Sequence, residues 1–197
     1  MTSRDDLTPR AGDALVVVDV QNDFLPGGAL PVPRGADVVP PLNAVMAVFE
    51  ERTLPIIASR DWHPADHCSF RARGGPWPPH CIAGTRGASF APELRLPATA
   101  NVISKAITPD SDAYSAFAGT DLDGRLRRAG VTRLFVGGLA TDYCVLNTVL
   151  DARRAGYHVV LLLDAIRSVD VHPGDGDTAI AEMRQAGAVA TAWMQAA

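Results

Sequence analysis

Residues 133–165 read "RLFVGGLATDYCVLNTVLDARRAGYHVVLLLDA", and the reading of this stretch decides the fold. Its two ends, 133–140 and 157–165, are short runs rich in Val, Leu and Phe with no polar face, the pattern of strands buried between two layers. Between them Val145, Thr148, Val149 and Ala152 recur at three- and four-residue spacing. A helix over 141–155 follows, ending in Arg153, Arg154 and Gly156, a cationic last turn and a glycine stop. Strand, helix and strand in so short a span form a parallel crossover unit, which is right-handed.

The same rhythm extends outward in both directions. Strands are predicted at 14–20 ("ALVVVDV"), 54–60 ("LPIIASR"), 100–106 ("ANVISKA") and 188–194 ("AVATAWM"), apolar on both faces like the first two. Helices are predicted over 37–52, where Val38, Leu42, Val45, Met46 and Phe49 form one stripe, and over 177–187, with Asp177 as cap and Gly187 as stop. The expected fold is therefore three-layer α/β/α, with a mostly parallel six-stranded sheet and helices on both faces. The chain reads as one domain over 1–197, with residues 1–12 a flexible N-terminal segment. Region 62–99 is irregular and dense in Pro and Gly, and a loop that long in a compact domain is more often functional than idle.

Bulk properties narrow the class. Apolar residues at 47% and charged residues at 20% describe a globular chain and exclude a disordered one. A net charge of −4 argues against a nucleic-acid partner, and no apolar run is long enough to span a bilayer. Three cysteines, an odd number, fit a reduced protein better than a disulfide framework, so the expected location is cytoplasmic.

In an open parallel sheet, ligands bind beyond the carboxyl ends of the strands. Those ends carry Asp19, then Asp61 with His63, then Lys105, and then "GGLATDYC", which delivers Cys144 to the start of a helix. A thiol there feels the positive end of the helix dipole, which favours thiolate. A carboxylate can act as its base, and a lysine can hold that carboxylate ionised. Asp19, Lys105 and Cys144 thus have the composition of a nucleophilic triad. Singly, Cys144 reads better as a small buried hydrophobe and Asp19 as a cap; at three strand ends together, the triad is preferred. Backbone N–H groups around Ala140 and Cys144 suggest an oxyanion hole, against an ordinary tight turn.

The stretch "SRDWHPADHCSF" (59–70) lacks structural-zinc spacing. Asp61 and His63, two apart, face the same way on an extended segment. His80, from "WPPHC", completes an Asp–His–His set with open positions, the form of a catalytic or substrate-binding metal site. His67 is the weaker assignment, an accessory or fourth ligand, and any one of these histidines alone could be a loop residue bonded to backbone. Cys68 and Cys81 read as structural thiols. Phe24 and Trp77 could sandwich a flat ring or simply plug the core. The acidic run "SVDVHPGDGD" (168–177) reads as a turn into a helix rather than a calcium loop.

Taken together, "VVVDVQNDFLPGGAL", "SRDWHPADHCSF", "WPPHC", "SKAITPDSDAYSAFAGT" and "VGGLATDYCV" resemble the nicotinamidases (pyrazinamidases) of the isochorismatase-like cysteine hydrolases. The resemblance runs from about residue 13 to residue 150. It implies Asp19 as general base, Lys105 as its partner and Cys144 as nucleophile, with Asp61, His63 and His80 holding one divalent metal (zinc, iron or manganese). It also implies a cis peptide at Leu139–Ala140, an oxyanion hole from Ala140 and Cys144, and substrate contacts from Phe24, Trp77, Tyr114 and Leu139. Tyr143 departs from members that carry histidine before the cysteine.

The implied reaction is hydrolysis of nicotinamide to nicotinate and ammonia through a thioester, a step of NAD salvage, with pyrazinamide also accepted. The partner is then a small molecule, with no nucleic acid or membrane, and a homo-oligomer is compatible. Two rivals remain at this level: the same fold and thiol acting on a larger amide or lactam, and a non-catalytic metal- or ligand-binding scaffold.

Overall fold

The computed structural model describes residues 7–196. Six strands, β1 (Asp13–Val18), β2 (Ile56–Asp61), β3 (Asn101–Lys105), β4 (Arg133–Leu139), β5 (His158–Arg167) and β6 (Val189–Thr191), form one sheet in the order β3-β2-β1-β4-β5-β6. Every neighbouring pair is parallel. The chain builds outward from β1 to β3, then returns to the centre at β4 and builds outward the other way. The order therefore reverses between β1 and β4, and the cleft beyond their carboxyl ends is where a ligand site is expected.

The period-two alternation of β1 assigns the two cores. Leu15 and Val17 face one side with Ile56, Ala58, Phe135 and Leu162, and meet helix α1 (Val39–Glu51) through Leu42, Val45, Met46 and Phe49. Ala14, Val16 and Val18 face the other side, against α2 (Leu122–Arg128), α3 (Leu146–Arg154) and α4 (Asp175–Gln185), which contribute Leu126, Val149 and Met183 among others. Helices thus cover both faces, and the strands between them can be apolar throughout.

Several expectations change in detail. β3 is not apolar on both faces: Asn101 and Val102 are exposed because β3 is an edge strand. Helix α2 escaped sequence reading because it is short, holds Gly124 and offers only Leu122 and Leu126 to the core. Helix α4 starts at Asp175 after Gly174 in a left-handed turn (φ 95°), so Asp177 lies in the first turn instead of capping it. The helix expected over 141–155 opens with a wide turn, Thr141–Val145, in which the Val145 N–H reaches back to the Ala140 carbonyl at 3.0 Å. Of the segment 1–12 expected to be flexible, residues 1–6 lie outside the described residues. Leu7 is buried in the α1-side core, and Arg52 donates to the Pro9 carbonyl at 2.7 Å.

The irregular stretch after β2 is tied down against the strand ends. His63 bridges to Ile82, Phe70 to Trp77 and Gln21 to Phe90. The Asp23 carboxylate accepts the Cys81 N–H at 2.7 Å, which anchors the "PPHC" turn beside β1. An added Cβ at Gly87 would run into that same carboxylate, so glycine is required there.

Candidate active site

Lys105, at the end of β3, is the hub. It is 1% exposed, and its ammonium lies 3.0 Å from Asp19 Oδ2, donates to Asp61 Oδ1 and to the Ala113 carbonyl (3.0 Å), and sits 3.6 Å from Cys144 Sγ. Ligand atoms of Asp19, Asp61 and Cys144 all lie within 4.8 Å of one another. Three groups from just after β1, the end of β2 and the turn after β4 therefore surround one cation, drawn together by the parallel register that aligns Val18 with Ser59 and with Gly138.

Backbone conformation aims these groups. Asp19, Ala106 and Cys81 have positive φ (48°, 50° and 45°), a left-handed geometry uncommon for non-glycine residues. One is the acid itself, one follows Lys105 and one follows His80, a clustering typical of functional sites. The Leu139–Ala140 peptide is cis, as the resemblance implies.

Burial and the neighbouring charges set the direction in which each group is shifted. Burial pushes the Asp19 carboxyl up, an effect Lys105 opposes and Asp61 reinforces. The Asp61 carboxyl is as buried, but Lys105 and His63 outweigh desolvation and hold it below the usual carboxylate range. Burial would lower Lys105, yet Asp19 and Asp61 keep it charged. For Cys144, burial raises the thiol, an effect Lys105 opposes and Asp19 and Asp61 reinforce. The surroundings therefore oppose the thiolate that the helix dipole favours, which leaves a part for a base, as the sequence reading expects of Asp19. Asp19 Oδ2 is placed for that task. It is buried beside Lys105 with no well-directed hydrogen bond, while Oδ1 accepts the Ser59 hydroxyl at 2.7 Å.

Asp61, His63 and His80, all buried, form one group whose ligand atoms fall within 4.8 Å of one another. His63 Nδ1 lies 3.2 Å from the Ala106 carbonyl and His80 Nδ1 lies 2.8 Å from the Pro78 carbonyl. Donation to those carbonyls leaves Nε2 as the lone-pair nitrogen in each ring, the arrangement a ligating histidine needs. These residues fit a divalent metal. His67 does not join them: its Nδ1 lies 2.7 Å from Ser69 Oγ and its Nε2 3.2 Å from the Ser111 carbonyl, while its ring stacks on His63 at 4.2 Å. It supports the set from behind.

Beside the hub lies a narrow cavity of about 40 Å³, into which Cys144, Ala140 and Asp61 open with His80. Its walls include Phe24, Trp77, Tyr114 and Tyr143. Trp77 Nε1 donates to the Tyr114 hydroxyl at 3.1 Å, and the Tyr143 ring meets both (5.1 and 5.5 Å between centroids). Leu139 is the exception among the expected substrate contacts: it is fully buried in the α1-side core and does not line the cavity. Sequence reasoning missed Leu30, Val32 and Val169 on the wall, apolar loop residues that carry no signal. It also missed Ser59 and Gln21, which were visible as polar residues in or just after apolar strands. Gln21 brackets Asp61, donating to its carbonyl and accepting its N–H, both at 2.8 Å.

Comparison with known proteins agrees with this geometry. The isochorismatase domain family matches residues 13–195. The chain is 42% identical to the nicotinamidase of Escherichia coli (strain K12), covering 89% of this chain and 92% of that one. It is 39% identical to the nicotinamidase/pyrazinamidase of Mycobacterium tuberculosis, covering 87% and 92%. Among solved structures, the pyrazinamidase of Pyrococcus horikoshii in complex with zinc superimposes with a TM-score of 0.89 at 48% identity, covering 92% of this chain and 99% of that chain. PnC1 from L. infantum in complex with nicotinate gives a TM-score of 0.85 at 39% identity, covering 92% and 93%. No helix among the described residues is long and apolar enough to cross a membrane. A six-stranded parallel sheet, a lysine-centred cluster at its switch point and relatives of this identity along nearly the whole chain lead to one conclusion: the protein belongs to the isochorismatase family.

Proposed function

We propose that this chain is a cysteine amidohydrolase that converts nicotinamide to nicotinate and ammonia, and accepts pyrazinamide. The observation that carries the proposal is the buried contact of one ammonium with the Asp19 carboxylate (3.0 Å) and the Cys144 sulfur (3.6 Å), beside a cavity lined by aromatic side chains. Asp19 Oδ2 takes the thiol proton as the sulfur attacks the carboxamide carbon. The N–H groups of Ala140 and Cys144 receive the oxyanion. Asp19 then gives its proton to the amide nitrogen, the C–N bond breaks and ammonia leaves a thioester on Cys144. Water attacks that carbonyl while Asp19 accepts its proton, and collapse frees nicotinate and restores the thiol. Lys105 keeps the cluster's charge balanced through each transfer, and its own contacts with Asp19 and Asp61 hold it charged.

Asp61, His63 and His80 would hold one divalent metal, and an Asp–His–His set with open positions suits zinc, iron or manganese. When bound, that ion would supply a Lewis acid toward the ring nitrogen and so help orient the carboxamide toward Cys144. Phe24, Trp77 and Tyr114 flank the ring. The location is proposed to be cytoplasmic, and the chain to form a single domain. Ammonia release from nicotinamide, measured with and without chelator, tests the proposal. Activity lost to chelation and restored by divalent metal supports it, and a metal-replete protein that releases no ammonia refutes it.

A further inference from the structure

Asp142 lies two residues before Cys144 in the wide turn, and both its carboxylate oxygens reach out of that turn. Oδ1 accepts the N–H of Val169 at 3.0 Å and Oδ2 the N–H of Asp170 at 2.9 Å. Val169 is a wall of the cavity that Cys144 enters. The loop it belongs to is folded tightly on itself. Asp170 is left-handed (φ 51°), and its carboxylate accepts the Ser168 hydroxyl at 2.6 Å and the Gly176 N–H at 2.7 Å. A Cβ on Gly176 would approach Ser168 Oγ to 2.5 Å, so the fold of this loop admits only glycine there. The loop is thus a compact unit at the start of α4, fastened to the nucleophile's turn by one side chain.

We propose that Asp142 is a positioning residue that sets the width of the ring pocket by seating Val169, so that this clamp determines which ring sizes the enzyme accepts. The proposal rests on the reading of the site as an amide hydrolase for a flat ring. A carboxylate is what two consecutive N–H groups require, because both of its oxygens accept. Asparagine would keep the size but turn an NH₂ toward one of the two donors. Val169 contacts the ring equally in ground and transition states, so loosening it weakens binding without slowing chemistry.

Asp142→Asn and Val169→Ala test this, with nicotinamide and the fused-ring quinoline-3-carboxamide as substrates and hydrogen exchange read over residues 168–171. For Asp142→Asn the expected result is a nicotinamide KM raised roughly tenfold with kcat within about threefold. The preference for nicotinamide over the fused-ring amide should fall by about tenfold, and exchange at 168–171 should quicken. Val169→Ala should reproduce the change in preference with exchange unaltered. An Asp142→Asn variant that loses kcat while KM, ring preference and exchange stay as in the parent would overturn the proposal, as would Val169→Ala with unchanged preference. If the parent itself released no ammonia from nicotinamide, the functional reading would fall, while the exchange experiment would still decide whether Asp142 holds the loop.

Discussion

Replacing Lys105 with methionine removes the one cation from a buried cluster of two carboxyl groups and a thiol. At 3.0 Å and an effective dielectric of 20, the Lys105–Asp19 attraction is about 5–6 kcal/mol before desolvation, and a second carboxylate, Asp61, is bonded to the same ammonium. Breaking a buried pair by deleting one partner costs about 3–5 kcal/mol net. The metal-free Lys105→Met protein should therefore be less stable than the parent by at least that much at pH 8. The sign with pH follows from which groups are left. The stability that Lys105 contributes is present at every pH below the ordinary lysine value, because its folded pKa is raised. Without it, Asp19 and Asp61 lose the influence that lowers them, both carboxyls move up, and protonation relieves their buried charge as the pH falls. The deficit should then narrow at pH 5. Urea unfolding followed by the fluorescence of the three tryptophans measures both values. A deficit under about 1 kcal/mol at pH 8, or one that does not shrink at pH 5, would refute the account of this cluster as a mutually dependent ionic hub.

Two further substitutions probe neighbouring parts of the site. Ser59→Ala removes the 2.7 Å hydrogen bond that helps hold Asp19 ionised, so Asp19 rises further. Because Asp19 must be a carboxylate to act as base, the acidic limb of kcat/KM should move to higher pH, with a loss at neutral pH of roughly tenfold or more. An unmoved limb would show that Asp19 is not the base. His80→Ala should abolish stoichiometric metal, measured by elemental analysis, together with activity. His67→Ala should cost metal affinity only about 10–100-fold, as expected for a side chain that supports a ligand rather than being one. Equal loss of metal in both variants would place His67 among the ligands.

Much of this arrangement was legible before any coordinates, for a physical reason. Strands 14–20, 133–140 and 157–165 are apolar on both faces because they are covered on both sides, so their polar terminators, Asp19 and the "TDYC" turn, stand out. The edge strand β3 was legible as a short apolar run, although Asn101 and Val102 are exposed and only its second half is buried as expected. What depends on three-dimensional burial was not legible. The upward push on the Cys144 thiol comes from desolvation and from Asp19 and Asp61, groups far away in the chain, and it opposes the helix-dipole contribution that can be read at its own position. Leu139 follows the alternation of β4 into the core with Phe135, whereas Val32 and Val169 reach the pocket from loops whose sequence has no period. His67 has the composition of a ligand, and only its hydrogen bonds to Ser69 and Ser111 show that both nitrogens are engaged.

The central claim is that the Cys144 sulfur forms the covalent bond with the substrate. Acid quenching of the metal-replete enzyme during turnover of nicotinamide, followed by peptide mass analysis, tests it most directly. The account predicts one nicotinoyl group on the peptide bearing Cys144, absent from Cys144→Ala, which should bind the ring and release no ammonia. Ammonia release that persists in Cys144→Ala, or an acyl group on a different residue, would contradict it.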